Sequence, residues 1–539
     1  MLQTLSFLGK RWQGRGGASL DALPLLSAHS VQDALSTARD LKNTDQFSLP
    51  SPPDLMRAVE RMQKAVRDKE AVGVFGDYDC DGITAAALIV RCFKRRGVIP
   101  IVRLPHRIHD GYGLSKTIAE EWITRGIKLL ITVDTGITAV EPIRMLQERG
   151  VDVIVVDHHH LQAELPPAFA LLHPALTPGF APPHPSGAGM AFLLVRALEG
   201  EVWEDMHSDR ALAMMGTVAD LVELKGVNRS IVKHGLLSLQ SIESGPLAIL
   251  RDSVGSRAAL TSTDVAFRIA PRLNAAGRMD DPILALHAIL RGGEHIEKLH
   301  QLNRLRQDQT ENLIQSARKN VDMESPLIAT ASKDYPHGIV GLIAGSLTES
   351  TGRPSIVAAV DRDHATASLR SPVCYHVTEG LSRIEDLLIS YGGHAQAAGC
   401  SFEMIHWKEI QERLASDIAG SVAPEALTPY VEIDARIESD AVSLPFVRSL
   451  RDLEPFGQGN PEPRFLLSGV RAEQLRRVGS EGNHLQARIA GHKAVGFRMG
   501  QFFGQLDGPL DIVCRVGLDT WNGKTGVQLF VEDARRISN

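Results

Sequence analysis

The chain has 539 residues, 43% hydrophobic and 23% charged. That composition excludes a disordered or fibrous chain, and a single core of this size is excluded because cores stop growing at roughly 250–300 residues. The net charge of -6, from 58 basic and 64 acidic residues, does not by itself announce a nucleic-acid binder. No apolar run reaches the roughly 18–20 residues that cross a bilayer, and MLQTLSFLGKRW lacks the basic start of a secretory signal. The cysteines, Cys80, Cys92, Cys374, Cys400 and Cys514, are odd in number and form no C-x-x-C pair. They point to a cytoplasmic protein with free thiols rather than a disulfide or zinc scaffold.

From Ala71 to Asp157 short β-rich runs alternate with amphipathic stretches. AVGVF (71–75) is predicted as a buried strand, ITAAALIVRCFKRRG (83–97) as a helix, and VIPIVRLP (98–105) as a strand whose Pro100 suits an edge. LLITV (129–133) is a strand, AVEPIRMLQERG (139–150) a helix and VDVIVV (151–156) a strand. Strands alternating with helices predict a mostly parallel sheet. Residues 166–187 hold seven prolines and read as an irregular loop, after which 187–225 turns helical. Residues 295–321 carry apolar side chains at 296, 299, 302 and 305, then at 313, 314, 317 and 321. That spacing predicts one long helix, polar over most of its surface and suited to bridge two domains. A second α/β unit is expected from Ser325 to Ala419, with PSIVAAV (354–360) as a strand and YGGHAQAAG (391–399) as a glycine-rich segment. Beyond Pro429, the runs YVEIDARI, HLQARIAG, KAVGFRM, DIVCRVG and GVQLFVED predict about five short strands and a small β-barrel. A basic island lies here, with Arg471, Arg476, Arg477, Arg488, Lys493 and Arg498 against Glu473 and Glu481. It reads as a solvated face or as a track for a nucleic-acid backbone, and Phe497, Phe502 and Phe503 as core rather than stacking platforms.

The position of the acids is the informative feature. AVGVF runs into Asp77, Asp79 and Asp81, LLITV into Asp134, and VDVIVV into Asp157, His158, His159 and His160. The carboxyl ends of parallel strands line one edge of a sheet, where sites form. A lone Asp after a strand is often only a helix N-cap, and Asp81 before Gly82 could be that. Three coinciding strand ends argue for a cluster. Crowded carboxylates repel unless cations neutralise them, and a mixture with imidazole favours Mn²⁺ or a similar ion over Mg²⁺. Two metals roughly 3.5–4 Å apart suit phosphodiester cleavage. Asp79-Cys80-Asp81 also has the spacing of an aspartyl-phosphate phosphatase, but that class has no use for an Asp-His-His segment.

GDYDCDG, DTG and DHH on successive strands resemble the DHH phosphoesterase superfamily, and GGHAQAAG resembles its associated C-terminal domain. LPHRIHDGYGL (104–114), APRLNAAGRM (270–279) and SLRS (368–371) narrow the resemblance to the RecJ family of single-strand-specific 5′→3′ exodeoxyribonucleases. The resemblance implies an α/β protein with a parallel-sheet DHH domain over 1–255, a helical linker with the long helix over 256–324, a DHH-associated domain over 325–425 and an OB-like barrel over 426–539. It also implies Mn²⁺ or Mg²⁺ held by Asp79, Asp81, Asp134, His158 and Asp220, with Asp134 bridging and Asp77 an outer ligand. His159 would touch the scissile phosphate or a metal, so Asp134, His158 and His159 are the catalytic candidates. Several superfamily members carry a histidine ligand where this chain has Phe75, which leaves one metal position short of a ligand. Arg107, Arg278, Ser368, Arg370, Ser371 and His394 become the phosphate-binding candidates, arginine because its fork fits phosphate. Glycines 392, 393 and 399 would let backbone N–H groups approach an anion. Single-stranded DNA is the implied substrate, in DNA repair and recombination, with a single-stranded-DNA-binding protein and a helicase as implied partners and no membrane.

Two other classes remain open. One is a superfamily phosphodiesterase acting on short oligonucleotides or cyclic dinucleotides, which would not need the basic β-rich extension. The other is a non-enzymatic binding scaffold, which would not need the acids at 79, 81, 134 and 220.

Overall fold

The computed structural model describes residues 6–41, 50–107, 110–111, 113–200, 202–255, 260–479, 481–521 and 524–537. The chain forms two compact units: one of residues 40–308 and 454–461, the other of 1–39, 309–453 and 462–539. Their boundary falls inside the helix Glu294–Lys319, the long helix expected over 295–321. The expected domain edge at 255/256 touches residues 256–259, which lie outside the described ones.

The N-terminal strand β1 (Arg11–Gly14) belongs with the C-terminal strands described below. The strands that follow it, β2 (Val72–Gly76), β3 (Ile101–Arg103), β4 (Leu129–Val133), β5 (Asp152–Val156) and β6 (Ala170–Leu172), form an all-parallel sheet in the order β3-β2-β4-β5-β6. Every residue of β2 and β4 is buried, as expected where helices cover both faces. Val72, Val74, Ile131 and Val156 face a layer that contains the helices Cys80–Arg95 and Gly187–Glu199. Phe75, Leu130 and Val153 face Trp122 and Ile143 on the helices Lys116–Thr124 and Val140–Glu148. Pro100 precedes an edge strand, as its missing N–H requires. The proline-rich stretch is not all loop, because Ala170–Leu172 pairs with Ile154–Val156. The three ladder residues fall between prolines, where the backbone can still donate.

In the other unit β7 (Ile328–Ser332), β8 (Ser355–Asp361), β9 (His364–Arg370), β10 (Ser390–Gly393) and β11 (Ala397–Glu403) form a mixed sheet ordered β10-β11-β9-β8-β7. The glycine-rich segment is therefore a β-hairpin, with Gly392 opposite Gly399 and Gly399 opposite Ser368. The helix Trp407–Ser421 packs Ile410, Leu414 and Ile418 on one face of this sheet, and Val340–Thr351 packs Ile343, Ala344 and Leu347 on the other.

The C-terminal part holds β12 (Tyr430–Ile433), β13 (Ala435–Arg436), β14 (Phe465–Val470), β15 (Glu473–Val478), β16 (His484–Ile489), β17 (His492–Gly496), β18 (Leu510–Trp521) and β19 (Lys524–Arg536). Seven of these form one sheet, β13-β14-β18-β19-β17-β16-β15, built round the long β18–β19 hairpin. Sequence reading misses β14 and β15. FLLSGV lacks alternation, and EQLRRV has no buried face, since four of its six side chains are exposed and the other two only half-buried. β1 pairs in parallel with β12 and so departs from its expected place in the first domain. Trp12 is the reason. It is buried with Val431, Ile433, Leu466 and Val513, and its Nε1 donates to Asp533 Oδ2 at 2.9 Å. The same segment is tied by Arg15 Nε and Arg39 Nη2, each 2.7 Å from Asp434 Oδ1.

Asp434 is buried, and burial alone would raise its pKa, yet the hydrogen bond from Arg15 and the charge of Arg39 hold it below the usual carboxylate range. Removing one member of a buried pair costs more than the pair contributes. Asp434→Ala is expected to destabilise this unit by about 3 kcal/mol in urea unfolding followed by tryptophan fluorescence. Wild type should lose the same contribution only as the pH falls through the depressed Asp434 value. An unchanged midpoint in the variant would show that the Asp434 ion pairs contribute nothing to holding the N-terminal segment.

Candidate metal centre

Chain order places the acids at one edge. β2 has β3 on one side and β4 on the other, so the strand order reverses beside β2 and opens a crevice at the strand carboxyl ends. Asp77, Asp79 and Asp81 follow β2, Asp134 follows β4, and Asp157, His158 and His159 follow β5. Asp220 arrives from elsewhere, as the C-terminal cap of the helix Met206–Ala219. Ligand atoms of Asp77, Asp79 and Asp134 lie within 4.8 Å of one another, as do those of Asp81, His158 and Asp220 and those of Asp134, His158 and His159. His158 Nε2 is 3.1 Å from Asp134 Oδ1, 3.7 Å from Asp220 Oδ2 and 3.9 Å from Asp81 Oδ2. All seven candidates from the sequence are thus brought together.

Local structure fixes each one. Asp79, not Asp81, is the N-cap of Cys80–Arg95: its Oδ1 accepts from the N–H groups of Asp81 at 3.0 Å and Gly82 at 3.2 Å. Asp81 lies inside the first turn and points across to a second helix. Its Oδ2 accepts from Gly187 N at 2.7 Å and its Oδ1 from Ala188 N at 3.0 Å, at the positive end of Gly187–Glu199. Asp134 adopts φ 59°, an unusual conformation for a residue with a side chain and one that functional sites retain. Gly187 admits it: a Cβ there would lie 2.5 Å from the Asp134 Cβ.

The electrostatics follow from burial. Burial, then the charge of Asp79, pushes the Asp81 carboxyl up to about 6. Burial, then Asp81, Asp79 and Asp220, holds Asp134 well above the usual range, and Asp77 and Asp220 are raised for the same two reasons. Burial pushes His158 down to about 3, so it is a neutral imidazole. Asp157 is the exception. Burial would raise it, but the hydrogen bond and charge of His159 and the N–H of Ile137 hold it low. Its Oδ1 accepts from His158 N at 2.7 Å, His159 N at 3.1 Å and His159 Nδ1 at 2.7 Å, and its Oδ2 from Ile137 N at 2.9 Å. His159 is raised in return, against the effect of its own burial.

These residues fit a divalent cation. Carboxylates and a neutral imidazole are the donor set such ions take, and Asp77 Oδ1 is buried with no hydrogen-bond partner. Phe75 does not compete for the site: it is fully buried in the opposite layer with Trp122.

Two contributors escape the sequence reading. Asp157 stands there as a strand-end acid without a role; in the structure it orients the histidine turn. Asn274, within APRLNAAGRM, accepts from Cys80 N at 2.7 Å and so grips the loop that carries Asp79 and Asp81. The signal for Asn274 is its place in that motif, which on sequence alone yields only Arg278.

The phosphate candidates divide between the units. Arg107 lies over the Tyr78 ring at 4.5 Å, while Ile108, His109 and Tyr112 of its motif fall outside the described residues. Arg278 is half-buried at the end of the helix Ala270–Met279. In the other unit Arg370 Nη1 donates to Ser368 Oγ at 2.9 Å beside the glycine hairpin, and His394 is exposed at the hairpin turn. Ser371 is buried and its hydroxyl donates to the Pro372 carbonyl at 3.0 Å. Phe497 and Phe503 are 59% and 39% exposed, which corrects their reading as core. Phe497 follows the end of β17 and Phe503 sits in a 3₁₀ turn, so neither shares the inward face of a strand.

A sequence model of the DHH family N-terminal domain matches residues 71–222, and one of the RecJ OB domain matches 433–533. The single-stranded-DNA-specific exonuclease RecJ of Thermus thermophilus is 34% identical, the match covering 89% of this chain and 71% of that protein. The RecJ of Bacillus subtilis is 30% identical over 96% of this chain and 68% of its own length. The chain belongs to the RecJ family. The crystal structure of Thermus thermophilus RecJ in complex with Mn²⁺ superposes with a TM-score of 0.84 at 30% identity, covering 98% of this chain and 80% of that one. A second crystal structure, of exonuclease RecJ bound to manganese, gives a TM-score of 0.62 at 34% identity over 70% of this chain and 97% of its own.

A folded pKa raised above its unfolded value means that the folded state holds more protons, so this cluster lowers metal-free stability as pH rises through about 6 for Asp81. The melting temperature of metal-stripped protein should therefore gain most from Mn²⁺ on the alkaline side of that value. Asp134→Asn, which takes one ionisable member out of the cluster at little change of volume, should raise the metal-free melting temperature there and reduce the gain from Mn²⁺. A variant that melts lower without metal and gains as much with it would sink the repulsion argument.

Proposed function

We propose that the chain is a metal-dependent exodeoxyribonuclease that hydrolyses phosphodiester bonds of single-stranded DNA from the 5′ end. The observation that carries this reading is the convergence of Asp77, Asp79, Asp81, Asp134, His158 and Asp220 at one sheet edge in a RecJ-family chain. Asp77, Asp79 and Asp134 would hold one Mn²⁺ or Mg²⁺, and Asp81, His158 and Asp220 a second, with Asp134 shared. When bound, such ions supply an activated water and charge compensation for the departing oxygen. His159, whose pKa the Asp157 hydrogen bond raises against the effect of burial, would offer its ring to the scissile phosphate. Arg107 and Arg278 would hold neighbouring phosphates, and Ser368, Arg370, Ser371 and His394 the strand terminus. The Ser371 hydroxyl donates to the Pro372 carbonyl, so the buried Ser371 would act by shaping the turn beside Arg370.

The barrel would track the strand backbone with Arg476, Arg488 and Lys493, and the exposed Phe497 and Phe503 would stack bases. A small-substrate phosphodiesterase would have no use for that face. Action in DNA repair and recombination, and a single-stranded-DNA-binding protein and a helicase as partners, rest on the family alone. No described helix is long and apolar enough to cross a membrane. The cytoplasm is the proposed compartment because all five cysteines are free.

Product analysis on 5′-labelled and 3′-labelled single-stranded and duplex DNA, with Mn²⁺ and Mg²⁺ compared, tests the reading. Mononucleotides released from the 5′ end of single strands are expected. Release from the 3′ end, or equal attack on duplex, would overturn it.

A terminal phosphate carries charge that an internal one lacks, and an arginine fork exploits it. Arg370→Ala is expected to slow hydrolysis of 5′-phosphorylated strands roughly ten- to a hundredfold more than that of 5′-hydroxyl strands, from a charge-assisted contact of about 1.5–3 kcal/mol. Arg370→Lys should recover part of the rate. Equal slowing on both substrates would make Arg370 a general backbone contact.

A further inference from the structure

Residues 454–461 lie in sequence between the strands β13 and β14, inside the stretch that matches the RecJ OB domain. They nevertheless pack as part of the catalytic unit. The segment, EPFGQGNP, is closed on itself: Gly457 N donates to Asn460 O at 2.9 Å, Asn460 N to Gly457 O at 3.1 Å, and the fully buried Asn460 Nδ2 to Pro455 O at 2.9 Å. A rigid turn of this kind presents its remaining carbonyls in fixed directions.

Three elements of the catalytic unit take hold of it. Arg229, which is buried, donates from Nη2 to Glu454 O at 2.7 Å and from Nη1 to Pro455 O at 3.2 Å. Ser262 Oγ donates to Phe456 O at 2.6 Å. Leu224 N donates to Gln458 O at 2.7 Å. Gly459, at φ 73°, lies so close to Glu223 that a Cβ there would be 2.9 Å from the Glu223 Cβ. Two of these attachments lead directly towards the carboxylates. Glu223 and Leu224 end the loop that begins at Asp220, and that loop passes through Leu221, an exposed non-glycine residue at φ 59°. A strained conformation persists only where its surroundings determine it. Ser262 starts the helical run that continues through Ala270–Met279 and carries Asn274, the residue that grips Cys80 N.

We propose that residues 454–461 are a positioning strap: by fixing the backbone at 223–224 they set where Asp220 stands against Asp81 and His158. The proposal rests on the metal reading given above. Asp220 is anchored on its N-terminal side by the helix end that it caps, where its N–H donates to Gly216 O at 2.9 Å. On its C-terminal side the strap holds the chain at Leu224. Groups that hold a ligand from behind affect metal affinity by roughly ten- to a hundredfold when removed. Arg229 is a positioning residue in this account, since it binds the strap through the Glu454 and Pro455 carbonyls.

The test is a double-variant cycle on the full chain, read as Mn²⁺ affinity from the electron paramagnetic resonance signal of free Mn²⁺ and therefore independent of hydrolysis. Wild-type binding of Mn²⁺ checks the metal reading first. Arg229→Ala should then weaken Mn²⁺ binding at least tenfold, Arg229→Lys by less, and Asp220→Asn strongly. The combined Arg229→Ala/Asp220→Asn protein should bind no more weakly than Asp220→Asn alone, because both changes act on one ligand. Wild-type affinity in Arg229→Ala, or effects that add in full in the double variant, would overturn the proposal. If Arg229→Ala does not fold, Ser262→Ala and Gly459→Ala enter the same cycle with the same criteria. Failure of wild type to bind Mn²⁺ would instead overturn the metal reading, and the strap's purpose with it.

Discussion

Asp77, Asp81, Asp134 and Asp220 cannot all be ionised in the space that the sheet edge leaves them unless a cation shares it. The rest of the catalytic unit is arranged round that constraint. The parallel sheet, buried on both faces, delivers three strand ends to one line. A helix N-terminus is devoted to Asp81, and the Asp79 carboxylate caps the helix that carries Asp81. Each device holds a carboxylate where it would not stand unaided, and none of them removes the repulsion. The protein thus keeps an arrangement of carboxylates that is unfavourable when they are ionised and that a bound metal relieves.

Asp134 and Asp157 show how little of this depends on residue type. Both are aspartates directly after a parallel strand, both are buried, and they respond in opposite directions. Asp157 accepts four hydrogen bonds, one of them from a histidine that it keeps basic. Hydrogen bonds to a charged group are worth about 1.5–3 kcal/mol each, enough together to offset the burial of one carboxylate. Asp134 has the His158 ring, which burial keeps neutral, and bears the charges of Asp81, Asp79, Asp220 and Asp77. One aspartate is satisfied by the protein and therefore orients its neighbours. The other is left for a cation.

What is legible in the sequence follows the same division. Strands buried on both faces read as apolar runs, so β2, β4 and β5 and the acids at their ends can be found from the residues alone. Asp220 cannot: it caps a helix of unremarkable pattern, and only the likeness to a family points to it. Asn274 and Asp157 act through hydrogen bonds to backbone N–H groups, and such bonds leave no periodic trace. β15 escapes because a strand exposed on most of its surface has too few apolar side chains to show a period. Phe497 and Phe503 mislead because an aromatic residue is core by default, and their place just outside the strands is a property of the register rather than of composition.

Chain order and spatial order also part company, and this bears on how the protein can be dissected. β1 lies at the N-terminus yet pairs with β12, and Trp12 is buried among residues from 431 to 513. Residues 454–461 lie among barrel strands yet hold the backbone after Asp220. A cut at residue 430, the natural place to remove a C-terminal barrel read from the sequence, would leave Trp12 without its core and Leu224 N without its acceptor. Abolished cleavage in such a truncation would follow from the loss of residues 454–461 and would say nothing about DNA binding by the barrel. Charge-removing substitutions at Arg476, Arg488 and Lys493 leave both segments in place. They isolate the interaction with phosphate, because each phosphate no longer neutralised on a single strand lowers the slope of log affinity against log salt by roughly 0.7.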